Sequence, residues 1–105
     1  IHVTDLAAAH LLALEALIAQ PARSHLLNCG YGRGFSVLEV LDAVDRATNN
    51  PIRRVMTGRR AGDPGKLISD NSAILQTFPW QPRYADLDQI VAHALAWERT
   101  LGDRA

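Results

Sequence analysis

Only two short stretches of this chain read as β-strands, His25 to Cys29 and Ile52 to Thr57, and that scarcity limits its possible folds more than any other feature. Two strands of this length do not form a stable sheet by themselves. The chain therefore either packs as helices or lends these strands to a sheet completed by other sequence. No internal repeat and no low-complexity tract offers another route to a core.

The helical segments are clearly marked. Thr4 or Asp5 is expected to cap a first helix whose apolar positions Leu6, Ala9, His10, Ala13, Leu14, Leu17 and Ile18 recur at spacings of three and four, until Pro21 ends it. Ser36-Val37-Leu38-Glu39 is a capping box. In such a box the serine accepts from the third helical amide while the glutamate reaches back to the serine's own N–H. The helix it opens carries Val37, Val40, Leu41 and Val44 on one face and closes at Asn49-Asn50-Pro51. Asp70 or Ser72 starts a short helix through Phe78, stopped by Pro79, with Trp80 pinning the turn. Asp86 opens the last helix, with Gln89 as a weaker capping partner and Leu87, Ile90, Val91, Ala94 and Leu101 on its inner face.

At 105 residues and 48% hydrophobic content the chain supports one modest core, so residues 1–105 read as a single, helix-rich α/β domain. No apolar run approaches the ~20 residues needed to span a bilayer, and Ile1-His2-Val3-Thr4-Asp5 is neither a signal nor a transit peptide. A soluble, cytoplasmic protein is expected. The single cysteine, Cys29, cannot form an internal disulfide, which agrees with a reducing compartment. The chain begins without methionine, in mid-pattern, and reads as a piece of something longer.

Charge is balanced overall, with eleven basic and eleven acidic side chains, yet Arg53, Arg54, Arg59, Arg60 and Lys66 crowd around one acid, Asp63. Arginine's planar fork matches phosphate oxygens two at a time, and an ionised carboxylate only accepts hydrogen bonds, which suits a sugar hydroxyl. Phosphate beside a ribose points to a nucleotide. The same residues are equally those of a solvated loop with no specific partner.

Other motifs yield less. Gly30-Tyr31-Gly32-Arg33-Gly34 joins a strand to a helix, as a dinucleotide-binding loop does, but Phe35 stands where that fingerprint needs glycine and no acid follows at the expected distance. The glycines are expected to turn a tight corner. His2, His10, His25 and His93 share no metal-ligand spacing, and Cys29 has no partner cysteine, so no metal site is expected. Ser36 lacks the flanking glycines of a nucleophile elbow and is explained by its cap. Neither Tyr31 nor Tyr84 has a lysine four residues on, so no tyrosine–lysine catalytic pair exists. Asp42 with Asp45, and Asp86 with Asp88, are expected to be solvated charges on polar helix faces or caps. Nucleic-acid binding is not expected, because the basic stretch has no aromatic residue to stack bases and the chain has no net positive field.

Four segments together carry a resemblance: Ile1-His2-Val3-Thr4-Asp5-Leu6-Ala7, Asn28-Cys29-Gly30-Tyr31-Gly32-Arg33-Gly34-Phe35-Ser36-Val37, Arg59-Arg60-Ala61-Gly62-Asp63-Pro64, and the Phe78-Pro79-Trp80 turn. They resemble the C-terminal part of the UDP-glucose 4-epimerase family, nearly end to end. That family belongs to the extended short-chain dehydrogenases, with an N-terminal Rossmann domain holding NAD and a smaller C-terminal substrate domain. The resemblance implies that this chain is the second of these, without the Rossmann domain. It implies that Arg60 holds the UDP diphosphate and that Asp63 accepts from the uridine ribose hydroxyls. Leu67 then falls at a position lining the sugar pocket, whose bulk influences acceptance of N-acetylated hexoses.

In that family NAD takes a hydride from the hexose C4, the keto sugar turns while UDP stays anchored, and the hydride returns to the other face. The resemblance assigns anchoring of UDP-hexose to this chain and NAD binding to the missing domain, with no catalytic residue here. Helices meant to pack on a Rossmann domain would leave apolar faces open, such as Leu11 and Leu12, so self-association or a homodimer is expected. The same domain in another nucleotide-sugar epimerase, dehydratase or decarboxylase is an alternative, against which the Arg-x-Gly-Asp pattern argues. A non-catalytic binding module is another. Sequence upstream of Ile1 decides between enzyme and module.

Overall fold

The computed structural model describes residues 1–102. Four helices run along it: α1 Val3–Ala19, α2 Val37–Thr48, α3 Ser72–Thr77 and α4 Leu87–Gly102. They belong to two compact units, one of residues 1–34 with 68–85 and one of residues 35–67 with 86 onward.

The first unit is built on α1 and α3. Its core is Ala9, Ile74, Phe78 and Trp80, with Leu12, Ala13, Ala16, Leu27 and Cys29 packed against it. The helix α1 begins earlier than expected. His2, not Thr4 or Asp5, is its cap, with Nδ1 accepting from the Thr4 amide at 3.0 Å while the ring stacks on Tyr84 at 4.3 Å. The buried face is also turned from the expected one, running through Asp5, Ala9, Leu12, Ala13 and Ala16, while His10, Leu14, Leu17 and Ile18 are exposed. A helix apolar around most of its circumference does not declare its inner face by periodicity, and alanines permit the closest approach. Leu12 therefore joins the core and Leu11 stays open. Trp80 pins the turn after α3 as expected, 3% exposed and with its indole N–H on the Asp5 carbonyl at 3.0 Å. The cap of α3 is Asn71, although Asp70 Oδ1 does accept from the Ser72 amide at 2.9 Å.

In the second unit α2 packs on α4, with Ala43 and Val91 buried. The capping box forms as expected: Glu39 N–H donates to Ser36 Oγ at 3.2 Å and Ser36 N–H to Glu39 Oε2 at 2.6 Å. Asp86 Oδ1 likewise takes the Gln89 amide at 2.9 Å and starts α4. Of the expected inner residues, Val37, Val40, Ala94 and Leu101 are exposed.

Residues 25–29 and 52–57 are not strands here, and no strand occurs among the described residues. Extended backbone becomes a strand only against a partner whose N–H and C=O groups complete the ladder, and neither segment has one. The first keeps the alternation of a strand: His25, Leu27 and Cys29 are half-buried, and Leu26 between them is 99% exposed. No described helix is long and apolar enough to cross a membrane.

Candidate functional site

The basic segment folds as an exposed loop over residues 55–67. Its organising element is a turn of Arg60-Ala61-Gly62-Asp63, closed by the Asp63 amide on the Arg60 carbonyl at 3.4 Å. Gly62 sits at φ +85°, the value the third position of such a turn demands and one that side chains resist. The turn brings together the two residues singled out by chemistry: Arg60 Nε donates to Asp63 Oδ2 at 2.9 Å. Their side chains are 86% and 48% exposed, and an ion pair that open contributes at most about 1 kcal/mol, so a ligand displaces it easily. Engagement through Nε leaves the terminal nitrogens of Arg60 for an incoming anion. Leu67 lies four residues on, 85% exposed. Among the described residues Arg53, Arg59 and Lys66 make no ion pair, so the loop keeps two uncompensated cations of its own and a third stands just before it in sequence.

Arg54 departs from the expected cluster. Its guanidinium is held by two carboxylates of α2, Asp42 Oδ1 at 2.8 Å and Asp45 Oδ2, and Asp45 Oδ1 also accepts from the Ile52 amide at 2.7 Å. Hydrogen bonding to Asp42, with the further pull of both carboxylates, pushes the Arg54 pKa up. Asp42 and Asp45 are thus not merely solvated charges. Their spacing of three on one helix face, followed by a basic segment, was the available signal.

The glycine loop is a corner, as expected. A Cβ on Gly30 would stand 2.9 Å from Ser69 Cβ, and one on Gly34 would stand 2.8 Å from Ile68 Cγ1. The glycines here make room for the close approach of residues 68 and 69, and with Phe35 where the fingerprint needs glycine this chain's residues do not fit an NAD site.

A third arrangement went unread in the sequence. Asp5, 3% exposed on α1, accepts from Tyr31 Oη at 2.7 Å, the Arg83 amide at 2.9 Å and the Tyr84 amide at 2.9 Å. An acid four residues before the buried Ala9, on the same helix face, was the sign of it. Burial pushes its pKa up, the bonds from Arg83, Tyr31 and Tyr84 pull it down, and the net result is a lowered value. Asp5 ties the start of unit 1 to its end and touches no solvent-facing site.

No family model matches the chain. Relatives do. It is 44% identical over 101 residues to the UDP-glucose 4-epimerase of Azospirillum brasilense, covering 96% of this chain and 29% of that protein. The UDP-Glc/GlcNAc 4-epimerase of Campylobacter jejuni superposes on 95% of the chain with a TM-score of 0.85 at 44% identity, using 30% of its own length. The UDP-glucose-4-epimerase of Stenotrophomonas maltophila, solved with bound NAD and formylated UDP-arabinopyranose, matches 100% of the chain with a TM-score of 0.89 at 36% identity. The chain thus spans about 30% of the length of the proteins it matches. In sequence and in fold it is homologous to the C-terminal region of the UDP-glucose 4-epimerases, without their Rossmann part.

Proposed function

We propose that this chain is the substrate-binding part, over residues 1–105, of an NAD-dependent UDP-glucose/UDP-galactose 4-epimerase, and that it anchors UDP while the hexose reacts elsewhere. The observation that carries this reading is the turn that sets Arg60 and Asp63 side by side on an exposed loop. The terminal nitrogens of Arg60 grip diphosphate oxygens, and Asp63 turns from Arg60 to the ribose hydroxyls. The homology and the UDP-sugar in the Stenotrophomonas neighbour support the ligand class. NAD belongs to the N-terminal domain of the whole protein, a cytoplasmic enzyme that self-associates. No step of the hydride chemistry is assigned to a residue of this chain.

Titration calorimetry with UDP on the full-length gene product tests the anchor. A charge-assisted arginine–phosphate pair contributes ~1.5 to 3 kcal/mol, so Arg60→Ala weakens UDP roughly ten- to hundredfold. Arg60→Lys keeps the charge, loses the fork and still binds worse than wild type. Asp63→Asn keeps one acceptor and has the smaller effect. Equal affinities for wild type and Arg60→Ala would leave only a solvated basic loop. Leu67 borders the hexose in this reading, so Leu67→Tyr lowers turnover of N-acetylated UDP-hexoses relative to UDP-glucose.

A further inference from the structure

We infer that Asp45, acting through Arg54, is a positioning residue for the UDP-binding loop, fixing the loop's root on α2 so that Arg60 and Asp63 are held ready for the nucleotide. This rests on the reading of Arg60 and Asp63 as UDP contacts.

The two oxygens of Asp45 serve two purposes. Oδ1 accepts from the Ile52 main chain at 2.7 Å, and Oδ2 accepts from the Arg54 guanidinium. Asp42 holds the other terminal nitrogen of Arg54 at 2.8 Å. The chain is therefore tied twice within three residues, by backbone and by side chain, to a helix whose own start is closed by a complete capping box. Beyond Arg54 the ties end. Among the described residues the one backbone bond within 55–67 is the turn's own, from Asp63 to Arg60. Arg54 is thus the last fixed point, six residues before Arg60.

Stability alone accounts poorly for this arrangement. Carboxylates three apart on a helix repel each other, and partly exposed ion pairs contribute little. A fixed root matters more for a loop that must be ordered when ligand binds, because affinity rises as that ordering is done in advance. Each backbone residue left free at the root must be ordered at binding, which weakens affinity about five- to thirtyfold. Arg54 is also distinct from its neighbours in charge: two carboxylates accompany it, so the trio is net negative and does not itself draw a diphosphate.

The test is UDP titration on the full-length gene product with Arg54→Met, Asp45→Asn, Arg60→Ala and the double variant Arg54→Met/Arg60→Ala, each checked for a folded circular dichroism spectrum. Arg54→Lys serves if Arg54→Met does not fold. Expected is a five- to thirtyfold rise in Kd for both Arg54→Met and Asp45→Asn, although the first makes the loop's root one charge more negative and the second one charge more positive. In the double variant Arg54→Met adds less than it costs alone, because it acts through the loop that carries Arg60 and only Asp63 is left to position. Wild-type affinity in Arg54→Met, alongside weakened binding in Arg60→Ala, overturns the positioning role and leaves the UDP site standing. Fully additive losses in the double variant, or tighter binding in Asp45→Asn, overturn it too, by making Arg54 a general support or a mere contributor to the field. Unchanged binding in Arg60→Ala overturns the UDP site and this inference together.

Discussion

Replacing Asp5 by asparagine keeps the side chain's size and exchanges one acceptor oxygen for a donor. In the folded chain one oxygen serves the Arg83 amide and the other serves both Tyr31 Oη and the Tyr84 amide. The amide fits best with its NH2 toward Arg83, which leaves that part-buried N–H without an acceptor, a loss of about 1 kcal/mol. The two bonds that survive pass from a charged to a neutral acceptor, each weaker by about 1 kcal/mol. Together these give about 3 kcal/mol, a large share of a small protein's total stability. The melting midpoint by circular dichroism at neutral pH should fall by roughly 10–25 °C. The pH dependence has a fixed sign. Because the folded Asp5 carboxyl lies below its ordinary 3.8, its stabilisation is complete above that value and fades as pH falls through the folded one. The gap between wild type and Asp5→Asn should therefore close in acid, below about pH 4. A midpoint for Asp5→Asn within a few degrees of wild type at pH 7, or a gap that widens in acid, would refute the reasoning.

Three further outcomes are expected. The chain by itself should neither bind NAD nor interconvert UDP-galactose and UDP-glucose, and turnover proportional to its concentration in a coupled assay would contradict this. Gly34→Ala should lower stability by about 1–3 kcal/mol, since its methyl meets Ile68 Cγ1 at 2.8 Å, and should leave UDP affinity in the full-length gene product unchanged. Leu11, Leu14, Leu17, Ile18 and Leu26 stand open on unit 1, so light scattering at tens of micromolar should report self-association, and a monomer there would count against it.

The helix starts were legible where a local side chain makes them. Ser36 with Glu39, and Asp86 before Gln89, bond within a single turn, and spacing alone identifies such caps. The start of α1 was not, because a histidine does the capping and its ring is braced by Tyr84, far away in sequence. The inner faces were half legible: periodicity names an apolar stripe, but Ala9 and Ala43 are buried because they are small, while Val37 and Ile18 are left out. In the site, Arg60 and Asp63 could be paired from residue chemistry, since one turn joins them. Arg54 could not be told from Arg53 by the sequence, because what separates them is which one meets the carboxylates of α2.

The chain visits its two units alternately, entering the first, leaving at residue 35, returning at 68 and leaving again at 86. The bonds that close the first unit therefore span long intervals: Trp80, Arg83 and Tyr84 reach Asp5 across 75, 78 and 79 residues. For a helical protein this is a slow topology, since a long loop must be closed before any of these contacts repays the lost entropy. During synthesis, which proceeds at about 5–20 residues per second, α1 must wait several seconds with Tyr31 the one partner of the Asp5 carboxylate already made, until Tyr84 has left the ribosome. Through that interval the Asp5 carboxylate lacks the amides of Arg83 and Tyr84, and a message that stops short of residue 84 encodes a first unit that cannot close.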